Sequence, residues 1–408
     1  MIRGLPAWAL IFMVSFAVRM LLLAVWAGNH ADFHRLGGEI GRVAESLLRA
    51  GQFADPYMIP TGPTAHPTPV SPALLALIYH GFGMTTAAGY ARALVGIVSH
   101  STLYALMPWL AERLGLGMRA GVCAGFAWAA VPFQGLGEAT GLGASAHGAI
   151  AFGLLMVAFL RRWTVARATA IGSLMLGLAA GAAFHLLPPL LLVVAGCLLF
   201  ELGWKRRGCT WKLSAWVAVG AVLACVPWAW RNYTALHGWF FIRSNFGLEL
   251  RIANQPGADA DIEVTWARAG TLRHPSENLE EARRVRELGE AEYNRRARNE
   301  AFGWIRSHPA EFSRLTLRRF LHFWCGPPRR PWQMALSTAL TVLALLGLRR
   351  VLPALDVPQR AALLIPLGAF PLVYYFVSYV EHYPEPLWWL LFLLAGFEVK
   401  SWQLGSKA

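Results

Sequence analysis

Residues 37–83 read "GGEIGRVAESLLRAGQFADPYMIPTGPTAHPTPVSPALLALIYHGFG". This stretch lies between the first and second hydrophobic segments of the chain, yet it is too polar to cross a membrane. Its first part repeats apolar residues at the spacing i, i+3, i+4, i+7 and i+8, namely Ile40, Val43, Ala44, Leu47 and Leu48. The spacing predicts a short helix with one apolar face, suited to the membrane interface.

The second part is rich in proline. Residues 61–72, "TGPTAHPTPVSP", contain four prolines. Because proline fixes φ and lacks an N–H donor, we expect a rigid, extended loop. The following "SPALLALIYHGFG" predicts a second interfacial helix, with Ser71 as its cap and Pro72 in its first turn. This helix is too short to cross a bilayer.

The composition indicates a polytopic membrane protein, since 56% of the 408 residues are hydrophobic and only 15% are charged. A net charge of +14 would suggest nucleic-acid binding in a soluble protein. In a membrane protein basic residues collect in cytoplasmic loops, so we predict no nucleic-acid partner. The five cysteines form no CxxC pair, which argues against a structural disulfide and a cysteine metal site.

Hydrophobic runs of spanning length predict about ten transmembrane helices. They lie at about 5–28, 88–111, 117–134, 146–162, 167–184, 187–203, 212–230, 332–348, 359–380 and 385–400. The first run is too long for a signal peptide, so we expect an uncleaved helix. Arg19 interrupts it, and we interpret this arginine as a helix-packing residue.

The distribution of Lys and Arg predicts the topology. Basic residues occupy alternate connections, whereas the intervening short connections contain none. Both termini should therefore be cytoplasmic, with residues 29–87 and 231–331 outside. We divide the chain into an N-terminal transmembrane module (1–230), an extracytoplasmic helical subdomain (231–331) and C-terminal transmembrane helices (332–408). Within the subdomain, residues 277–306 predict one charged helix and residues 309–324 an amphipathic one.

Glu39 is the acidic residue that this pattern singles out. It lies in the first turn of the predicted interfacial helix, at the edge of the apolar face, where the helix dipole favours an ionised carboxylate. Such a carboxylate is available to accept a proton at the water–lipid boundary. The structural alternative is a surface ion pair with Arg35 or Arg42, which lie four residues before and three residues after it. Asp32 is the other nearby acid.

The order of these features resembles the GT-C glycosyltransferases. An N-terminal crossing with an arginine, an acidic amphipathic helix, the proline-rich loop and a crossing that opens with Arg92 follow one another. Three later stretches are also similar: "PWAWRNYTALHGWFFIRSNFGLELRIANQPGA", "GEAEYNRRARNEAFGWIRSHPAEFSRLTLRRFLHFW" and "EHYPEPLWWLLFLLAGFE". More narrowly, the chain resembles the family 39-like branch, which contains protein O-mannosyltransferases and aminoarabinose transferases.

The resemblance implies an all-α polytopic enzyme of the bacterial inner membrane with its site on the periplasmic side. It implies transfer of a sugar from a polyprenyl-phosphate donor to a hydroxyl of a lipid, glycan or protein acceptor. An acidic residue in the first outer loop of these enzymes is the catalytic base, a role that falls to Glu39. Asp32 is the alternative, because many relatives have Asp where this chain has Leu36. His382 stands where relatives often have an arginine before the tyrosine.

The phosphate of such a donor leaves as an anion, so it requires cations and N–H donors rather than an acid. Arginine matches phosphate oxygens with its planar fork, and Arg92, Arg231 and Arg243 lie at the predicted outer boundary. Each could instead be a snorkelling anchor to the membrane lipids. Further candidates for binding the sugar or phosphate are His66, Tyr57 and His185.

Two other interpretations are open. A lipid or glycan transporter would need a route through the membrane or internal repeats, and the sequence shows neither. A GT-C ligase with a lipid-diphosphate glycan donor would use Arg and His of the outer loops. We expect no metal cofactor, although His30, Asp32 and His34 in "HADFH", together with His66 and His185, are an alternative without a recognised ligand spacing.

Overall fold

The computed structural model describes residues 5–27, 35–131, 133, 136–164, 168–204, 211–268 and 273–405. In chain order the α-helices are α1 (Ala7–Ala27), α2 (Gly38–Ala50), α3 (Val70–Phe82), α4 (Thr86–Arg113), α5 (Met118–Ala130), α6 (Leu136–Thr140), α7 (Ala144–Thr164), α8 (Ala170–Phe184), α9 (Leu190–Gly203), α10 (Trp211–Leu236), α11 (Phe246–Ala253), α12 (Ile262–Ala267), α13 (Leu279–Leu288), α14 (Glu290–Ser307), α15 (Pro309–Cys325), α16 (Pro331–Val351), α17 (Val357–Ala369) and α18 (Glu385–Gly405). Short 3₁₀ helices follow α16 and α17, at Leu352–Ala354 and Phe370–Tyr375. Across these ranges β-pairing is limited to two isolated bridges. The predicted all-helical fold is confirmed.

All ten predicted crossings coincide with helices. Six of these helices are long and apolar enough to cross a membrane, namely α1, α4, α7, α10, α16 and α17, the last two with their 3₁₀ extensions. Three of the remaining four are shorter, since α5, α8 and α9 have 13, 15 and 14 residues. At 1.5 Å per residue they rise roughly 20 Å, less than the bilayer core of about 30 Å. The six long apolar helices indicate that the chain is an integral membrane protein.

Glycines allow α8 and α10 to pack backbone against backbone. A Cβ atom at Gly177 would lie 2.1 Å from the Val217 carbonyl oxygen, and one at Gly220 would lie 2.3 Å from that of Leu174. Small residues at such crossings are typical of membrane helix pairs, because dispersion contacts replace the hydrophobic drive that lipid does not supply. This packing fixes α10, whose C-terminal end leads into residues 231–331, the predicted extracytoplasmic segment.

A buried ion pair joins the outer ends of the first helices. Arg19 of α1 is fully buried and pairs with Glu138 of α6. The same guanidinium donates to the Tyr104 hydroxyl on α4 and the Ala129 carbonyl on α5, both at 3.0 Å. A buried charge is tolerated only when it is paired and hydrogen-bonded in this way. The interpretation of Arg19 as a helix-packing residue is confirmed.

The first outer loop contains the two predicted interfacial helices. In α2 the buried residues are Gly41, Val43 and Ala44, which follow the predicted apolar face. The start of α3 was predicted wrongly, because its cap residue is Pro69 and no side chain caps the helix. Ser71 lies inside the first turn of α3 rather than before it. The two helices pack against each other, and α3 packs against α4.

The charged stretch 277–306 forms two helices rather than one. Gly289 has a φ of +77°, which glycine adopts without the steric cost that other residues incur, and it separates α13 from α14. Asn278 caps α13 through a bond from the Glu281 N–H. The second predicted helix of the subdomain is α15. The break at Gly289 places Glu290 in the first turn of a new helix.

Candidate active site

The carboxylate of Glu39, in the first turn of α2, meets two distant segments of the chain. Its Oε2 lies 2.9 Å from Nε2 of His66 in the proline-rich loop. Its Oε1 accepts the Ser276 hydroxyl at 2.9 Å and lies 3.3 Å from Nε2 of His274. The Glu39 side chain is 25% exposed, so protein surrounds it and water still reaches it. We call Glu39, His66, His274 and Ser276 the Glu39 cluster.

The structural alternative for Glu39 is not observed. In the described part of the chain its ion pairs are with histidines and not with Arg35 or Arg42. Arg42 instead donates to the Pro56 carbonyl at 3.3 Å. The α2 helix therefore directs Glu39 toward the outer loops. Asp32, the other candidate for the base, lies outside the described residues.

His66 is held on every side. The Tyr57 hydroxyl lies 3.0 Å from its Nδ1. The His66 backbone N–H donates to the Thr64 hydroxyl at 2.9 Å, and Nε of Arg243 donates to the His66 carbonyl at 2.6 Å. The ring is 1% exposed. These bonds fix both the backbone and the ring of His66, and they leave its Nε2 directed toward Glu39.

Electrostatics favour the charged forms of Glu39 and His66. Burial raises the pKa of Glu39, but His66, His274 and Ser276 outweigh it and hold this pKa well below its usual range. Burial lowers the pKa of His66, but the Glu39 carboxylate outweighs it and raises this pKa above its ordinary value. A carboxylate and an imidazole that stabilise each other shift in these directions. Each group therefore favours the charged form of the other.

The hydrogen bonding of His274 determines which ring nitrogen carries its proton. Its Nδ1 accepts the Ser276 backbone N–H at 3.1 Å. A neutral imidazole has one donor and one acceptor nitrogen, so the hydrogen is on Nε2, the atom nearest to Glu39. Burial lowers the pKa of His274 by more than the Glu39 charge raises it. His274 is therefore a neutral side chain with its N–H on the carboxylate side.

The cluster has the residue types of a divalent metal site. One donor atom each of Glu39, His66 and His274 lies within 4.8 Å of the others. A histidine ligand must offer a lone pair to the metal. His274 Nε2 has none while its Nδ1 accepts the Ser276 N–H. In this arrangement the three residues fit a proton-sharing cluster rather than a three-ligand metal centre. Of the metal ligands that the sequence suggested, His30, Asp32 and His34 lie outside the described residues.

Two of the three predicted phosphate-binding arginines reach the loop that carries His66. Arg243 does so through its Nε, and no described residue engages its two terminal nitrogens. Arg231 donates to the carbonyls of Thr64 and Phe53, each at 2.6 Å. Arg231 therefore stabilises the loop, whereas Arg243 has donors to spare for a ligand.

Arg92 and His185 have other contacts. The Nε of Arg92 donates to the Thr140 carbonyl at 3.0 Å, which connects α4 to the end of α6. The Nε2 of His185 lies 3.3 Å from the Ala224 carbonyl of α10. Both contacts connect helices, and neither involves the proline-rich loop.

The last outer loop lies within electrostatic range of the cluster. Arg243 lowers and Glu249 raises the pKa of both His66 and His382. The surrounding protein and then Arg243 lower the pKa of His382 to about 4. Glu39 also contributes to a raised pKa of Tyr383. The "EHYPEP" stretch thus lies close enough to Arg243, Glu249 and Glu39 to interact with their charges.

A cavity of about 760 Å³ lies beside Arg243. Its walls come from the outer end of α10, the segment that follows it and the first half of α14. They include His237, Trp239, Phe246, Asn294 and Arg298. Its volume is that of a small-ligand site, and its lining combines aromatic rings with cations.

Sequence reasoning missed His274, Ser276 and Glu290. His274 and Ser276 lie more than two hundred positions after Glu39 in a segment without periodicity. The available signal was a histidine directly before Pro275 in an outer loop. That signal does not indicate which residue His274 contacts.

No protein-family model and no curated protein matches the chain. Two solved structures are similar to it. The crystal structure of the Archaeoglobus fulgidus oligosaccharyltransferase, a complex with Zn and sulfate, has a TM-score of 0.55 at 15% identity and covers 97% of this chain. The second is the crystal structure of ArnT from Cupriavidus metallidurans bound to undecaprenyl phosphate, which is 16% identical to this chain. The match covers 98% of this chain and 79% of the ArnT chain. Its TM-score of 0.38 does not establish a common fold. This chain spans about half of the oligosaccharyltransferase, 49% of its length. The comparison establishes the fold alone, which this chain shares with the oligosaccharyltransferase.

Proposed function

We propose that this protein is a membrane glycosyltransferase that moves a sugar from a polyprenyl-phosphate donor to an acceptor hydroxyl at the outer face of the membrane. The transfer inverts the anomeric configuration, and Glu39 is the general base. One observation carries the proposal. An ionised carboxylate, bonded to His66 and Ser276 and still 25% exposed, is linked through His66 to Arg243, which donates to the His66 carbonyl and has unused donors.

The cluster leaves room for the acceptor. A carboxylate offers about four lone-pair positions, and His66, Ser276 and His274 face three of them. The acceptor hydroxyl donates to the fourth. As its oxygen forms the new bond to the anomeric carbon, the bond from that carbon to the phosphate oxygen breaks and the phosphate leaves with the electron pair. The hydroxyl proton passes to Glu39.

The low pKa of Glu39 is compatible with this role. A carboxylate with a lowered pKa is a weak base toward a free hydroxyl. Glycosyl transfer, however, passes through an oxocarbenium-like transition state. The attacking oxygen becomes strongly acidic as it bonds to that carbon, so a weak base suffices late in the step.

Arg243 is the group best placed to bind the departing phosphate. Its Nε is fixed by the His66 carbonyl, so its terminal nitrogens have a defined position. They lie at the wall of the cavity described above. Charge-assisted bonds from arginine to phosphate strengthen as negative charge develops, which lowers the barrier.

Glu39→Gln tests the base. The change preserves the shape of the side chain and removes its proton affinity, so transfer by the purified protein in lipid should fall by about 10²–10⁴-fold. Binding of a polyprenyl-phosphate sugar, measured separately, should persist, whereas Arg243→Gln should weaken it. Glu45→Gln is the matched control, because Glu45 is in the same helix but pairs with Arg49 at 3.3 Å.

Full activity in Glu39→Gln with a loss in Asp32→Asn would move the base to Asp32. Full activity in both variants would exclude a carboxylate base. Absence of transfer by the wild-type protein with every polyprenyl-phosphate sugar offered would contradict the proposed function itself.

A ligase that uses a lipid-diphosphate glycan is the second candidate. The supporting observation is that Arg298, which shares the cavity wall with Arg243, has no ion pair among the described residues. Arg295 also lines this cavity but pairs with Glu292, so Arg243 and Arg298 are the arginines of the wall without an ion pair among the described residues. Two such cations suit a diphosphate better than a single phosphate. Offering both donor types to the same preparation distinguishes the two functions, since a ligase would transfer only from the diphosphate.

A further inference from the structure

We infer that Glu290 is a positioning residue that holds His66 against Glu39 and fixes the backbone next to Arg243. Its predicted effect on transfer rests on the proposed function, whereas its effect on His66 does not. Glu290 lies in the first turn of α14, outside the Glu39 cluster, and its side chain is buried.

The Glu290 carboxylate accepts three hydrogen bonds from two segments. Oε1 accepts the Ala65 N–H at 2.8 Å and the Ser244 hydroxyl at 2.5 Å. Oε2 accepts the Thr64 hydroxyl at 2.5 Å. Ala65 directly precedes His66, and Ser244 directly follows Arg243. One side chain therefore fixes the neighbours of both functional residues.

The bonds continue to the cluster in one unbroken path. The Thr64 hydroxyl donates to Glu290 and accepts the His66 N–H. The Ser244 N–H donates to the Ala65 carbonyl at 3.0 Å, which joins the two segments directly. Displacement of Glu290 would therefore release the backbone at Thr64–Ala65, next to His66, and at Ser244, next to Arg243.

The carboxylate is suited to this task because hydrogen bonds, rather than a salt bridge, hold it. Among the described residues no cation lies within salt-bridge distance of it, and the three donors compensate its burial. Its place at the start of α14 adds the favourable field of the helix. A buried carboxylate with three donors is rigid, because moving it breaks charge-assisted bonds that nothing else nearby replaces.

The pKa of His66 reports its position. Glu39, Tyr57, His274, Arg243 and Glu249 are the titratable and charged groups that face this ring. Of these, only the two carboxylates raise its pKa, and Glu39 is the nearer partner at 2.9 Å. Retreat from Glu39 therefore lowers the pKa of His66, since burial alone disfavours the imidazolium.

The test is Glu290→Ala in the full-length protein in nanodiscs, with ¹⁵N-labelled histidine followed by NMR. The His66 signal is assigned by its loss in His66→Gln. We expect the titration of His66 to move to lower pH in Glu290→Ala, and sugar transfer to fall by about 10²-fold, the usual effect of a displacement of roughly 1 Å. Glu311→Ala is the control, because Glu311 is also in the first turn of a helix, α15, but is half-buried and, among the described residues, pairs only with Arg314. It should change neither quantity.

Thr64→Val keeps the inference testable if Glu290→Ala fails to fold. It removes the hydroxyl that links Glu290 to His66 and preserves the shape of the side chain. The His66 titration should again move to lower pH, and Thr64→Ser should restore it. An unchanged His66 titration in folded Glu290→Ala or Thr64→Val would overturn the inference. If the wild-type protein transfers no sugar, the proposed function fails while the NMR result still decides the role of Glu290.

Discussion

At the scale of single residues, Glu39 and His66 stabilise each other's charged forms across 2.9 Å. For the proposed catalysis, the consequence is that Glu39 is ionised over a wide pH range. The consequence for stability follows from linkage between protonation and folding. A lowered carboxyl pKa adds stability above its ordinary value of 4.5, and this stability is lost as the pH falls. A raised imidazole pKa adds stability below its ordinary value of 6.5, and this stability is lost as the pH rises through the raised value.

Both contributions are therefore complete only between pH 4.5 and 6.5. We predict that wild-type protein exceeds Glu39→Gln in thermal unfolding midpoint by the largest margin in this window. The margin should shrink on both sides of it. The measurement is thermal unfolding in detergent at one scan rate and a series of pH values, with Glu45→Gln as control. A margin independent of pH would show that the Glu39–His66 ion pair does not form.

At the scale of structural elements, the entry into α2 determines where Glu39 lies. The chain turns sharply before the helix, and a Cβ atom at Gly41 would lie 1.7 Å from the Leu36 carbonyl oxygen. The Leu36 N–H is in turn held by the Tyr79 hydroxyl of α3 at 3.1 Å. Because the obstacle is fixed backbone, it cannot move aside as a flexible side chain would.

We therefore predict that Gly41→Ala destabilises the protein by about 1–3 kcal/mol, the cost of overpacking a tight site. The sign is the reverse of the usual helix propensity, by which Ala is favoured over Gly by about 1 kcal/mol. Gly303→Ala is the matched control, since Gly303 lies within α14 with nothing within 4 Å of the added carbon. It should stabilise the protein. Comparison of the two unfolding free energies checks this, and equal signs would contradict it.

At the scale of the whole molecule, the proposed active site requires both predicted outer segments on one side of the membrane. Glu39 lies in residues 29–87, and Ser276, which donates to it, lies in residues 231–331. This contact agrees with the predicted topology, in which an even number of crossings separates the two segments. The proline-rich loop, through His66, and the predicted subdomain, through Ser276, thus both contact Glu39.

We predict that a membrane-impermeant thiol reagent labels Glu287→Cys but not Arg349→Cys in intact cells, each in a background without native cysteines. Both positions are exposed in the fold, Glu287 on α13 and Arg349 at the end of α16, so accessibility differs only by membrane side. After permeabilisation both should react. Labelling of Arg349→Cys in intact cells would contradict the predicted topology.

Periodicity in the sequence was sufficient to predict the elements. The interfacial helix α2 and the place of Glu39 in its first turn follow from spacings of three and four residues, whereas the predicted crossings follow from hydrophobic runs of spanning length. These spacings are local, because each helical bond joins residues four apart. The two local errors, at Ser71 and at Gly289, concern where helices begin and break, which single glycines and prolines decide.

Only the tertiary structure decided which side chains meet. His274 and Ser276 reach Glu39 across a sequence separation of up to 237 residues, and Glu290 reaches Thr64 across 226. The sequence predicted that the three arginines bind phosphate together, yet in the fold they have different partners. Arg243 donates to the His66 carbonyl, Arg231 to the Thr64 carbonyl and Arg92 to the Thr140 carbonyl at the end of α6. The physical reason is that outer loops have no repeating pattern, so their partners depend on how the helix bundle places their ends. The proton on His274 depends on one backbone N–H, which no pattern of residue types encodes.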